Sequence, residues 1–143
     1  MWKMLVGAAL FSLALPVHAC AEIEFGPAGA FHRAYAVVAA TAQSAFVTPA
    51  EENPSETVLA FPRQHVLWEV GESWKGPFKK GELVSISSRL GPCAVAIREH
   101  ESALLFLIQQ PDGGLEYSFI EPLADKLLLV PVLYRLAANG PGA

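Results

Sequence analysis

Cysteine is scarce in this chain: there are two among 143 residues, Cys20 and Cys93. Two thiols cannot build the several-bridge framework on which disulfide-dense domains depend, and no C-x-x-C pair is present. The chain also lacks H-E-x-x-H, G-x-S-x-G and any phosphate-cradling glycine loop, so the familiar signatures of catalysis are missing. Basic residues number 10 against 14 acidic ones, which gives the chain no electrostatic reason to seek nucleic-acid backbones. There is no basic, aromatic-studded groove of the kind that tracks single strands. Histidines are few, and His32, His65 and His100 are too far apart in sequence to suggest a metal site. These absences lead us to expect no enzymatic activity, no cofactor and no nucleic-acid partner.

The first residues carry the clearest signal. Lys3 supplies a short positive start, Leu5 to Val17 form an apolar run, and Pro16 breaks it just before Val17-His18-Ala19. That pattern is expected to be a signal peptide over residues 1–19. The apolar run is shorter than the roughly 20 residues that a spanning helix requires, and no later run reaches that length. Removing Lys3 leaves 9 basic and 14 acidic residues, a net charge of −5 for the exported part. Residues 20–143 are the size of one domain, and the composition is rich enough in apolar residues to fold.

Strand patterns dominate between the punctuation marks. Thr48 to Glu56 reads as a loop, and Asn139 to Ala143 as a fraying tail. Tyr35 to Val47 is rich in small and β-branched residues. Val66, Trp68 and Val70 share one face against His65, Leu67 and Glu69, while Val84 and Ile86 alternate with Ser85 and Ser87. Ser102 to Gln109 is a continuous apolar run suited to a strand covered on both sides. It leads through Pro111-Asp112-Gly113-Gly114 into a partner strand with Leu115, Tyr117 and Phe119 on one face. The end of the chain reads as helix, with Leu123, Leu127, Val130 and Tyr134 at 3–4 spacing. Pro131 predicts a kink there, or a new helix start. One short helix fits the stretch around Gly26 to Ala36. The fold class expected is mainly β, a small five-stranded barrel with a short N-terminal and a C-terminal helix, an open β-sandwich being the other arrangement.

Cys20 admits several readings. As a lipobox, Val17-His18-Ala19-Cys20 has the required cysteine, but acylation would leave Cys93 a lone thiol in an oxidising compartment. That reading makes the chain a lipid-anchored envelope protein with a structural or interaction role. As a plain exported protein, the two cysteines form one pair with none left over, and parity favours this. A Cys20–Cys93 bridge would close a loop of roughly 74 residues and stabilise the fold by about 4 kcal/mol on the chain-entropy model. Lys75, Lys79 and Lys80 form the only basic cluster, either a partner-binding patch or a solvated loop.

The arrangement as a whole resembles one family. A cysteine follows the signal peptide, then come a short helical stretch, the small-residue strand Ala34 to Ala42, and a strand ending in Trp74-Lys75-Gly76-Pro77. The Gly81 to Ser87 strand, Cys93 and a final hairpin plus helix complete it. It is similar to the netrin-like, or tissue-inhibitor-of-metalloproteinases-like, domain over nearly all of residues 20–138. That resemblance implies a barrel of the OB type and a bridge between Cys20 and Cys93. It also implies a protein partner, a zinc metalloprotease, whose catalytic metal is ligated by the backbone amine and carbonyl of Cys20. Ala21 would enter the protease specificity pocket, with Glu22, Gly91, Pro92 and Ala94 beside it. An α-amine titrates near pH 7.7–8, so a neutral nitrogen donor is accessible, and catalytic zinc keeps a position open for one. Glu22 stands where the family carries a second cysteine, and its third cysteine pair is missing. The implied localisation is periplasmic or secreted, with membrane attachment only if Cys20 is lipidated.

Overall fold

A computed structural model describes residues 26–50, 61–92 and 94–139. The expected signal peptide, Cys20, Ala21, Glu22, Cys93 and most of the Thr48–Glu56 loop lie outside these residues. Helix α1 spans Gly26–Arg33. The strands are β1 (Ala36–Thr48), β2 (Arg63–Lys75), β3 (Leu83–Arg89), β4 (Ser102–Gln109) and β5 (Leu115–Pro122). A 3-10 segment, Leu123–Leu129, then leads into helix α2, Val130–Ala138.

All pairings are antiparallel, and the strand order is β3-β2-β1-β4-β5. The fold is therefore mainly β, but the expected barrel is not closed. Closure would require β3 to pair with β5, and no such pairing exists among the described residues. The sheet curls instead. The β1–β2 ladder is irregular at three places, where Gln43, Gly71 and Trp74 are extra residues. Each bulge bends the pair and increases its twist.

The curl gives the sheet an inner and an outer face. Ala36, Val38, Ala40 and Ala42 of β1 point inward with Val66, Trp68 and Val70 of β2 and Ala103, Leu105 and Leu107 of β4. Val37 and Ala39 point outward with Leu104 and Phe106, into a second cluster formed with Phe31 of α1 and Leu133 of α2. The central strands β1 and β4 are thus covered on both sides, as the unbroken apolar run in β4 predicts. The alanines of β1 take little room, so the sheet can bend tightly on one face and admit helices on the other. The bulge at Gly71 shifts the side-chain phase by one, so Trp74 faces the helices while Trp68 faces inward.

Two sequence expectations fail for related reasons. Leu115 and Tyr117 face inward, but Phe119 joins the outer cluster. The β4–β5 register slips between Phe106 and Leu107, where Ser118 is the extra residue, and a one-residue slip reverses every later side chain. At the C-terminus, Leu127 and Tyr134 are exposed, while Leu133 is the fully buried residue of α2. Lys126 leaves helical geometry (φ −122°, ψ 20°), so the 3-10 segment and α2 do not share one phase. Pro131 sits in the first turn of α2, where its missing N–H costs nothing.

Candidate binding site around position 93

The residues flanking Cys93 are held by one buried side chain. Gln64 stands on β2 in phase with Val66, Trp68 and Val70, and is only 2% exposed. Its Nε2 donates to the Val95 carbonyl at 3.2 Å, and its Oε1 accepts from the Ile97 N–H at 2.7 Å. A primary amide offers donor and acceptor in one plane, so Gln64 serves residues 95–97 as a neighbouring strand would. Ile97 is buried in the inner cluster, and Val95 packs against it.

Upstream, the Leu90 N–H donates to the Pro62 carbonyl at 2.8 Å, and the Ala94 N–H to the Gly91 carbonyl at 3.0 Å. Gly91, Pro92 and Ala94 are therefore brought together on a surface turn, anchored by Leu90 on one side and the Gln64 clamp on the other. Pro92 and Ala94 are exposed. Where Cys20, Ala21 and Glu22 sit relative to this turn lies outside the described residues.

The register places further side chains at the same end of the sheet. Arg63 pairs with Arg89, Gln64 with Ser88, and Phe46, Val47 and Thr48 with His65, Gln64 and Arg63. Phe46 is 59% exposed, and its ring stacks on His65 with centroids 4.8 Å apart. His65 Nε2 lies 3.0 Å from Thr48 Oγ1, which fixes the imidazole from its other side. Arg63 Nε donates to Ser87 Oγ at 3.2 Å. This end of the sheet thus exposes Phe46 and Val47, with the Phe46 ring held on His65. Sequence reading passed over Gln64, Phe46 and His65 as site residues. Gln64 had a legible signal, a polar residue in phase with three buried ones; the exposure of Phe46 had none.

The lysine cluster is at the other end of β2. Lys75 Nζ donates to the Phe31 and His32 carbonyls at 2.8 and 2.9 Å, and lies 5.5 Å from the Phe31 ring centroid. It satisfies the last carbonyls of α1, which a helix end otherwise leaves unpaired. Burial holds its ammonium below the ordinary lysine value. Lys79 and Lys80 are exposed. His32 lies in the last turn of α1, His65 lies in β2, and His100 occupies a left-handed turn with φ 68°. Among the described residues no three His, Cys, Asp or Glu side chains could hold a metal ion. Nor is any helix among them long and apolar enough to cross a membrane.

No protein-family model matches the chain, and no curated protein matches it significantly.

Proposed function

We propose that the chain is an exported, non-enzymatic binding domain of netrin-like kind, which engages a protein partner through the edge formed by Cys20 and the Cys93 segment. One observation supports this above the rest. The Gln64 amide and the Leu90–Pro62 hydrogen bond hold both sides of the Gly91–Ala94 turn. A turn fixed in advance loses little conformational freedom on binding.

In its sharpest form the partner is a secreted zinc metalloprotease. Cys20, bridged to Cys93, offers its backbone amine and carbonyl to the metal, and Ala21 and Glu22 follow it into the cleft. The test begins with intact mass of the exported protein. A mass about two daltons below the reduced chain, with a free amine at Cys20, marks the bridged form. That form is then titrated against a panel of secreted and periplasmic zinc proteases, and inhibition at micromolar concentrations is expected. A free Cys20 amine with no inhibition of any of them overturns the inhibitor reading. An acyl adduct on Cys20 overturns it as well, because acylation removes the chelating amine, and makes the chain a lipid-anchored envelope protein.

A further inference from the structure

Arg63 of β2 and Arg89 of β3 are cross-strand partners, and both are exposed. Gln64 and Val66 point inward, so Arg63 and His65 share the outer face with Ser87 and Arg89. Residues directly opposed on one face have Cβ atoms about 4.5–5.5 Å apart, and like charges placed so repel each other.

No carboxylate of the described residues relieves this pair. Arg63 Nε donates to Ser87 Oγ at 3.2 Å, a neutral partner. Arg89 has no hydrogen-bond or ion-pair partner among the described residues. The next carboxylate on this face of β2 is Glu69, about 20 Å further along the strand. Glu69 already accepts from Gln43 Nε2 at 2.6 Å. The chain as a whole has 14 acidic residues against 10 basic ones, so the shortage of carboxylates here is local.

The pair is built onto the turn that the proposed function uses. Arg63 follows Pro62 and Arg89 precedes Leu90, and the Leu90 N–H donates to the Pro62 carbonyl at 2.8 Å. That bond fixes the backbone of both arginines relative to the start of the Gly91–Ala94 turn. A guanidinium presents a planar fork that meets a carboxylate with two parallel hydrogen bonds. Arg63 spends only its Nε on Ser87, which leaves its two terminal nitrogens for such a contact.

We propose that Arg63 and Arg89 together receive carboxylates of the protein partner, which meets this end of the sheet with an acidic segment. That the carboxylates belong to a partner rests on the function proposed above; the recognition of an acidic segment does not. The chain has a net charge of −4, so its overall field repels such a segment and the attraction is local to the arginine pair.

The test uses the full chain at low salt, with acetylated and amidated hexaglutamate as probe and hexaglutamine as its neutral counterpart. The readout is the Nε–H resonance of each arginine, assigned by its loss in Arg63→Gln or Arg89→Gln. Hexaglutamate is expected to shift both saturably with a Kd below about 1 mM, and hexaglutamine to shift neither. Salt at about 0.5 M should weaken the binding about tenfold. Either Gln variant should weaken it about fivefold or more, read at the remaining arginine, and Arg→Lys should recover only part of that loss. Replacing Lys79 and Lys80 by Gln removes charge at the other end of β2 and should change the Kd less than about twofold.

Resonances unmoved at about 10 mM hexaglutamate overturn the proposal. An equal loss in the Lys79 and Lys80 variant overturns it too, as does tighter binding of inorganic sulfate, which would make the pair a site for sulfate or phosphate groups. Should a variant fail to fold, the wild-type comparison of hexaglutamate, hexaglutamine and sulfate decides alone. The assay involves neither Cys20 nor a protease. Silent arginines therefore leave the inhibitor reading standing, and failed inhibition beside a responsive arginine pair leaves this one standing.

Discussion

Trp68 Nε1 donates to the Tyr117 hydroxyl at 2.6 Å, joining β2 to β5 across two intervening strands. On a flat sheet those backbones would stand about 14 Å apart, three strand spacings of about 4.8 Å, with side chains upright. The bond exists because the sheet curls, and it ties the curl together from within. The two rings also meet edge-on, with centroids 6.4 Å apart. Tyr117→Phe leaves the shape intact but strands a buried indole donor, so it is expected to lower stability by about 1–3 kcal/mol. Urea denaturation should show a lower midpoint with an unchanged slope. An unchanged midpoint would mean that water replaces the hydroxyl and that the curl is held by the bulges alone.

The same pair predicts an alkaline limit to stability. Burial pushes the Tyr117 hydroxyl up to about 12, and the Trp68 N–H that donates to its oxygen pulls the other way. The folded value lies above the unfolded one, near 10. The stability that this difference supplies is therefore complete below about pH 10, and is lost as the pH rises from there to about 12. The whole effect is bounded by about 2–3 kcal/mol. Wild type and Tyr117→Phe, unfolded in urea at pH 9 and again at pH 11.5, should converge as the pH rises. Parallel losses in both proteins would place the alkaline sensitivity elsewhere.

Gln64 is expected to control the order of the Gly91–Ala94 turn. Gln64→Leu removes both amide bonds and leaves the Val95 carbonyl and the Ile97 N–H unpaired beside the inner cluster. The expected cost is about 2–6 kcal/mol, one unsatisfied group counted twice. Hydrogen exchange reports it locally: the Ile97 amide should lose its protection while the Val66 and Leu105 amides keep theirs relative to global unfolding. Uniform loss of protection would make Gln64 a general core residue rather than a clamp on this segment.

What was legible in sequence follows from how far each signal reaches. The period-2 pattern of Val66, Trp68 and Val70 survives in the structure because that stretch of β2 has no extra residue. Phe119 was misassigned because the bulge at Ser118 leaves no mark in composition; serine alternates with apolar residues whether or not it is inserted. Ring closure was over-read for a similar reason, since local pattern fixes strands but not whether β3 reaches β5. Of the candidate site, Gly91, Pro92 and Ala94 do share a surface turn. The residue that holds the turn, Gln64, is 27 or more positions away in sequence from all three and declares itself only through its phase on β2.

Gly76 and Gly113 separate two kinds of glycine requirement. Both have positive φ, 99° and 87°. A Cβ on Gly113 would meet nothing within 4 Å, whereas one on Gly76 would lie 2.6 Å from the Ala36 Cβ and 2.9 Å from the Tyr35 carbonyl oxygen. Gly113→Ala is therefore expected to cost only the backbone term, about 1–2 kcal/mol. Gly76→Ala should add overpacking of about 1–3 kcal/mol, since Ala36 is on a central strand and cannot move aside. Equal thermal shifts in the two variants would show that the Gly76 turn relaxes away from β1.

The C-terminal helix supplies the cleanest test of phase. An uninterrupted helix from Leu123 would bury Leu127 and Tyr134, but the break at Lys126 turns α2 so that Leu133 is buried and Leu128 is 95% exposed. Leu133 contacts the cluster made by Phe31, Trp74 and Phe106. Leu133→Ala should cost about 2–5 kcal/mol, the range for a leucine lost from a packed core. Leu128→Ala should change stability by no more than about 0.5 kcal/mol. Measured beside Leu127→Ala by urea denaturation, a large loss at Leu127 together with a small one at Leu133 would mean that the helix is continuous through Pro131. A large loss at Leu133 alone means that the 3-10 segment, with Pro131 in the first turn of α2, sets which face α2 turns toward the sheet.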